Sequence, residues 1–147
     1  ERANQRLAVM SAGRYSLVVH TGSSRGARAG LDLRVVDAHS GEEREVSTLS
    51  GGETFQASLA LALGVADVVK ERAGGIELDV LFIDEGFGTL DPDALDLALD
   101  ELDRLRAGGR MVGVVSHVAG LRERIGAGIE VRRHRGGSEV IVSPVPT

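Results

Sequence analysis

Apolar residues recur along the chain at two spacings, which predict an alternation of helices and strands. Near the start, Ala3, Leu7 and Met10 recur at helical spacing, and Gly13 follows them. We therefore expect a first helix that ends there. Tyr15 to His20 and Leu31 to Ala38 contain β-branched residues in alternating or apolar runs and predict an antiparallel pair of strands. The Gly/Ser/Arg stretch from Gly22 to Gly30 predicts a flexible connection between them.

The segment from Glu53 to Arg72 has the most apolar helical pattern of the chain. We expect a buried helix here, because the apolar positions recur every three or four residues. The face predicted to be buried comprises Phe55, Leu59, Ala62, Leu63, Ala66 and Val69.

The order then becomes strand, helix, strand, helix. The predicted elements are a strand at Leu78–Ile83, a helix at Pro92–Arg106, a strand at Met111–Val115 and a short helix at Val118–Ile125. Apart from Asp79, both strands are continuous runs without polar residues, which indicates burial on both faces and hence a parallel α/β sheet. Ile129 to Arg133 and Glu139 to Val142 predict an edge hairpin around a Gly-Gly pair.

Composition narrows the class of protein. A chain of 147 residues with 42% hydrophobic content can form a single domain with its own core. It has no cysteine, so disulfides and thiolate metal sites are excluded. No apolar run reaches the roughly 18 residues of a membrane helix, and a cytoplasmic location is expected.

Charge argues against wholesale electrostatic binding of nucleic acid, because the net charge is −5. The strongest local basic cluster runs from Arg132 to Arg135. Charge patterning alone favours a solvated strand and turn for this cluster.

Ser50-Gly51-Gly52-Glu53 opens the long apolar helix. Ser50 and Glu53 have the spacing of a capping box, in which each side chain bonds the other residue's amide. A capping box does not require the two glycines, each of which disfavours helix by roughly 0.8–1 kcal/mol relative to alanine. Their presence favours a phosphate at the free amides of the helix start.

Asp84 and Glu85 follow four apolar residues at the carboxyl end of a predicted buried strand. Ligands of open α/β sheets bind beyond these strand ends. Two adjacent carboxylates there suit a division of labour. Asp84 would help to hold Mg²⁺, and Glu85 would accept a proton from an attacking water or orient it.

Two further motifs are weaker by themselves. Asp91 followed by Pro92 is explained by helix capping alone, after Gly88, Thr89 and Leu90. Ser116-His117 follows the Met111–Val115 strand, where a lone histidine is more often structural than catalytic. The order of the motifs on successive elements of one sheet favours a common site.

A phosphate-cradling loop of the form GxxxxGK[ST] does not occur in the sequence. The only lysine, Lys70, lies within the long apolar helix, where no glycine-rich phosphate loop can form. The sequence therefore lacks the main cradle for the β- and γ-phosphates of a nucleotide, and we expect no ATP hydrolysis by this chain alone.

With these motifs the chain resembles the C-terminal lobe of the ATPase head of the SbcC family, within the SMC-like ABC ATPases of DNA repair. The most specific stretch runs from Ser47 to Phe55, and the stretch from Phe87 to Asp91 points the same way. The resemblance implies an α/β C-terminal lobe of an ABC-type P-loop ATPase head, with a parallel sheet core, flanking helices and antiparallel edge strands. Residues 1–13 would be the stub of a coiled-coil helix at which the lobe is truncated, and residues 14–147 the lobe.

The resemblance also implies roles for single residues. Ser50, Gly51, Gly52 and Glu53 would form the ABC signature that touches the nucleotide of the opposite subunit. Asp84 would be the Walker B aspartate at the metal, with Glu85 as the catalytic glutamate. The D-loop at the dimer interface would be Thr89, Leu90 and Asp91, and His117 would be the catalytic switch histidine.

The implied cofactors are ATP and Mg²⁺. The implied partners are the N-terminal lobe of the same polypeptide, a second head, an SbcD-like nuclease subunit and double-stranded DNA, with no membrane and a nucleoid-associated location. ATP binding and hydrolysis between two heads would drive clamping and release on DNA in a double-strand-break-processing nuclease complex. Two alternatives remain, namely a chromosome-organising SMC or RecN-type head and a non-enzymatic interaction module.

Overall fold

The computed structural model describes residues 1–20, 32–72 and 80–143. The chain divides into two compact units, Glu1–Val115 and Ser116–Thr147. The predicted connection from Gly22 to Gly30 lies outside the described residues, as do Leu31 and Leu78 at the predicted starts of two strands.

The first unit is a mixed α/β structure, as predicted. Its elements in chain order are α1 (Arg2–Met10), β1 (Tyr15–His20), β2 (Asp32–Asp37), β3 (Glu42–Glu45), α2 (Gly51–Arg72), β4 (Val80–Asp84), α3 (Pro92–Ala107) and β5 (Met111–Val115). Two 3₁₀ turns, Val46–Thr48 and Phe87–Thr89, precede α2 and α3. In the part of the chain that the structure describes, no helix is long and apolar enough to cross a membrane.

Helix α1 packs along α2. Leu7 and Met10 of α1 are fully buried, and a Cβ atom added at Gly64 of α2 would lie 2.5 Å from the Ala3 nitrogen. Since real Cβ atoms do not approach so closely, glycine at position 64 permits the two helix backbones to meet. Arg6 of α1 also forms ion pairs with Asp67 of α2 and with Glu101 of α3.

The predicted buried face of α2 is wrong in part. Ala62 and Val69 are exposed, whereas Gln56 and Gly64 are buried. The buried residues of this helix are Gln56, Ala57, Leu59, Ala60, Leu63 and Gly64. Helix α2 carries small or apolar side chains on all of its sides. The spacing of these residues alone therefore could not identify the buried face. The choice is made by the close contact with α1.

Strands β1, β2 and β3 form an antiparallel sheet in that order. Tyr15 pairs with Asp37 at one end and His20 with Asp32 at the other. The β1–β2 pair was expected, but β3 was not. Its sequence, Glu-Glu-Arg-Glu, has no apolar alternation, because an edge strand buries little of either face.

Strands β4 and β5 pair in parallel, with Val80 opposite Met111 and Asp84 opposite Val115. The parallel pairing was expected, but burial on both faces is not found. Ile83 is buried, whereas Phe82 is 74% exposed and lies across Gly113. The described part of the first unit therefore covers one face of this sheet and leaves the other open.

The second unit contains α4 (Ala119–Ile125) and two strands, β6 (Gly128–His134) and β7 (Gly137–Ser143). The two strands pair antiparallel as the predicted hairpin, with His134 opposite Gly137. They form a two-stranded antiparallel sheet. Their most exposed apolar residues are Ile129, Val131, Val140 and Val142.

Candidate functional site

The first candidate motif is a capping box. The Ser50 amide donates to Glu53 Oε2 at 2.8 Å, and the Glu53 amide donates to Ser50 Oγ at 3.3 Å. The capping geometry predicted from the sequence is therefore present at the start of α2. Ser50 is exposed, and its hydroxyl keeps its own proton for a further partner.

One of the two glycines of this motif has a packing reason. A Cβ atom at Gly52 would lie 2.8 Å from the Thr89 carbonyl oxygen, whereas one at Gly51 would make an ordinary contact, 3.4 Å from the Thr89 side chain. Gly52 is thus required by the approach of the loop that contains Thr89. Close packing explains this residue without a ligand, and anion binding at the helix start stays a prediction.

Replacing Gly52 by Ala is expected to lower the free energy of unfolding by about 1–3 kcal/mol, the cost of overpacking a close contact. The control is Gly120→Ala, also within the first turn of a helix, where an added Cβ would meet no atom within 4 Å. That substitution should be neutral or stabilise by up to about 1 kcal/mol. Thermal unfolding of the two variants measures the difference, and equal unfolding temperatures would contradict the contact.

The second candidate motif lies at the end of β4. Asp84 and Glu85 are both exposed. Glu85 adopts the left-handed region, with φ +58°, and Gly86 follows at φ +94°. The Glu85 amide donates to the Val115 carbonyl oxygen at 2.8 Å, which ties this turn to the end of β5. A left-handed residue other than glycine costs roughly 1–3 kcal/mol and is found most often at functional sites.

The loop after Glu85 connects the two motifs. A Cβ atom at Gly86 would lie 2.2 Å from the Phe55 ring of α2. Phe87 is buried and meets Phe55 edge to face, with ring centroids 4.8 Å apart. Thr89 Oγ1 donates to the Gly86 carbonyl at 2.6 Å and closes the loop. The loop is therefore fixed on the first turns of α2.

Asp91 ends this loop as the predicted cap of α3. Its Oδ1 accepts from the Ala94 amide at 2.8 Å, and Pro92 occupies the first helical position. A cavity of about 350 Å³ lies beside the loop, between the ends of α1, α2 and α3. The candidate residues that line it are Ser50, Gly52, Glu53, Thr89, Leu90 and Asp91.

A polar cluster beside Glu53 was not predicted from the sequence. The hydroxyl of Tyr15, the only tyrosine of the chain, donates to Glu53 Oε1. Arg14 and Arg44 lie over the Tyr15 ring, at 4.8 Å and 5.8 Å from its centroid. A single tyrosine at the start of a strand was the available signal, because a buried tyrosine hydroxyl usually has a partner.

Ser116 and His117 belong to the second unit. Ser116 Oγ accepts from the Val118 amide at 3.2 Å in the turn before α4, and His117 is exposed. The role of His117 at a nucleotide stays a prediction. The basic cluster agrees with a solvated strand, since Arg132 pairs with Glu130 at 2.8 Å and His134 lies 3.3 Å from Glu139.

No group of three potential metal-ligating side chains occurs among residues 1–20, 32–72 and 80–143. Magnesium bound beside a nucleotide does not require such a group. One or two carboxylates suffice there, because phosphate oxygens and waters complete the octahedron. Asp84, exposed at a strand end, fits such a role.

The fold is that of an SMC-type ATPase head. The chain is similar to the Smc head domain of Pyrococcus furiosus bound to the C-terminal domain of ScpA, with a TM-score of 0.69 and 17% identity over 96% of this chain and 33% of that one. It is also similar to the SMC head domain of Thermotoga maritima, with a TM-score of 0.60 and 17% identity over 98% of this chain and 46% of that one. The predicted ABC-type head fold is therefore confirmed.

Within that class, the chain belongs to the SbcC/RAD50-like family, whose Walker B motif model matches residues 25–104. The SbcC subunit of the SbcCD nuclease from Staphylococcus saprophyticus is 54% identical over 130 residues, which are 88% of this chain and 13% of that protein. The corresponding SbcCD nuclease subunit from Vibrio cholerae is 54% identical over 138 residues, 93% of this chain and 14% of that protein. The chain thus spans about one seventh of the length of these relatives. The family predicted from the motifs of the sequence is confirmed.

Proposed function

We propose that this chain is the C-terminal lobe of an ATPase head that binds and hydrolyses ATP between two heads of an SbcCD-like nuclease complex. One observation carries the proposal. The start of α2 and the acidic end of β4 are parts of one packed unit, connected by the loop at Gly86 and Thr89. Two motifs that are far apart in sequence are thereby held in one relative geometry, so that a head can present the first motif to its partner's nucleotide and the second to its own.

Each motif has a distinct role in this proposal. Ser50, Gly51, Gly52 and Glu53 face the γ-phosphate held by the opposite head, where the helix start favours an anion. Asp84 binds the metal, and Glu85 accepts the proton of the attacking water. When bound, Mg²⁺ neutralises charge on the phosphates. The loop Thr89, Leu90 and Asp91 lies at the interface of the heads, and His117 approaches the γ-phosphate.

The other half of the site comes from an N-terminal lobe that carries the phosphate loop. The open face of the parallel sheet supports this partner, since Phe82 is 74% and Met111 66% exposed. On α2, Leu61 and Val65 are exposed as well. Exposed apolar surface on the sheet and on α2 supports an interaction site for such a partner. The chain on its own should therefore hydrolyse no ATP.

The wider assembly is proposed from the relatives. Both are named as subunits of the nuclease SbcCD, which supports an SbcD-like nuclease subunit as partner and double-stranded DNA as the object of the complex. Because the proposed complex acts on DNA, its proposed location is cytoplasmic and nucleoid-associated. The net charge of −5 limits the DNA contacts of this lobe to local patches.

Ser50→Arg in the complete protein tests the proposal. The substitution should leave ATP binding by a single head unchanged and abolish pairing of heads with a non-hydrolysable ATP analogue, because a bulky side chain fills the space of the partner's phosphate. Sedimentation measures pairing, and Ser40→Arg is the control, at an exposed turn before β3.

Mixing two inactive variants tests the arrangement across the heads. In a pair formed by a Ser50→Arg head and a head without its phosphate-loop lysine, one site carries both defects and the other carries neither. Because one of the two sites is intact, ATPase activity should return to about half the wild-type level. Unchanged pairing of Ser50→Arg heads, or no activity in the mixture although the heads pair, would contradict the proposed function.

A further inference from the structure

The buried side chain of Tyr15 is connected to Ser50 through a single residue, Glu53. Tyr15 is 6% exposed, and its hydroxyl donates to Glu53 Oε1. The other carboxylate oxygen, Oε2, accepts from the Ser50 amide at 2.8 Å. A single carboxylate therefore connects strand β1 with the backbone of the residue that opens α2.

The tyrosine is itself fixed by the antiparallel sheet. Its backbone pairs with Asp37 of β2, and Asp37 binds Arg14 at 3.1 Å and lies 3.8 Å from Arg44. These two arginines are the ones that lie over the Tyr15 ring. The position of the hydroxyl is thus determined by three strands, and not by the capping box.

The protonation states of the pair are fixed at neutral pH. Burial and the contact with Glu53 raise the pKa of Tyr15 to about 12. Burial opposes the charged form of Glu53, but hydrogen bonds from Tyr15 and Ser50 outweigh it and lower the pKa of this carboxyl. Tyr15 therefore remains the donor and Glu53 the acceptor.

This geometry has a consequence for Ser50. A capping glutamate on an exposed helix start can rotate about its last torsion, because that torsion has broad, shallow minima. The bond from Tyr15 occupies one oxygen and directs the other at the Ser50 amide. The carbonyl of Ser50 is held at the same time by the Thr54 amide at 2.8 Å.

We propose that Tyr15 is a positioning residue for Ser50, acting through Glu53 to fix the backbone that presents the Ser50 hydroxyl to the nucleotide of the partner head. The inference rests on the proposed function of Ser50. It adds that the antiparallel sheet, which carries none of the recognised motifs, sets the geometry of the site across the heads.

Tyr15→Phe in the complete protein is the test, because it keeps the ring and removes the hydroxyl. Pairing of heads with a non-hydrolysable ATP analogue should require about tenfold more protein, as expected for the loss of a hydrogen bond to a charged group. The kcat for ATP should fall. Nucleotide affinity of unpaired heads, measured at high dilution, should stay unchanged, because Ser50 touches only the partner's nucleotide.

A further variant separates positioning from general stability. Asn4→Ala removes two hydrogen bonds of the same strand, to the Leu17 amide and carbonyl at 2.7 Å and 2.8 Å. It should lower the unfolding temperature without a selective loss of pairing.

A double variant shows whether Tyr15 acts through Glu53. Tyr15→Phe combined with Glu53→Ala should pair as poorly as Glu53→Ala alone, since the second change removes the intermediary. Losses that multiply would overturn the inference, as would normal pairing of Tyr15→Phe heads or a loss matched by Asn4→Ala. If Ser50→Arg heads also pair normally, the proposed function fails too. If Ser50→Arg blocks pairing and Tyr15→Phe does not, only the role of Tyr15 is wrong.

Discussion

Replacing Glu85 by Gln in the complete protein should lower the rate of ATP hydrolysis about 10²–10⁴-fold, the usual contribution of a general base. The amide keeps the size of the side chain but cannot accept the proton of the attacking water. Asp84 remains available to the metal, so ATP binding should persist. Paired, ATP-bound heads should accumulate, because release depends on hydrolysis.

Steady-state ATPase assays at saturating ATP and Mg²⁺, together with light scattering for pairing, measure both effects. Glu42→Gln provides the control, since it makes the same chemical change on the exposed edge strand β3. Hydrolysis by Glu85→Gln at the wild-type rate would show that Glu85 is not the catalytic carboxylate.

Replacing Arg6 by Ala should destabilise the contacts among α1, α2 and α3. Arg6 pairs with Asp67 at 2.6 Å and also with Glu101, and the side chains of Arg6 and Glu101 are 18% and 5% exposed. Removing one partner of a buried pair weakens the compensation of the other charge. Arg110 still binds Asp67 at 3.0 Å, and Arg104 still lies 3.3 Å from Glu101. We therefore expect a loss of roughly 3 kcal/mol, or about a hundredfold in amide protection, the lower end of the usual range.

Hydrogen exchange of the amides of the three helices measures this loss. Arg2→Ala is the matched control in the same helix, because its pair with Glu71 is about half exposed on both sides, at 49% and 56%. An exposed pair contributes at most about 1 kcal/mol. Similar protection in the two variants would show that the Arg6 cluster does not hold the helices together.

Local signals in the sequence predicted several elements well. The strand Met111–Val115 has the expected bounds, because a short apolar run between polar residues has few alternatives. The start of α3 was predicted from Asp91 and Pro92, whose capping chemistry acts within one turn. The capping box of Ser50 and Glu53 is equally local.

Features that depend on distant residues could not be predicted in this way. The buried face of α2 is chosen by α1, more than forty residues earlier, through the contact of Gly64 with Ala3. The reason for Gly52 is the Thr89 carbonyl, which no local pattern contains. Tyr15 and Glu53, which share a hydrogen bond, are 38 residues apart in the sequence. Each of these contacts is tertiary, so spacing along the chain carries no information about it.

The left-handed backbone of Glu85 links the stability of this strand end to its proposed activity. Glycine would adopt the same turn at no steric cost, and the turn is held by a main-chain bond that any residue makes. Glycine at position 85 would remove the backbone strain, yet it would also remove the carboxylate. Under the proposed role of Glu85, the strand end retains this strain for the sake of activity. Screens for thermostable variants of this protein should accordingly enrich changes at position 85 that abolish turnover.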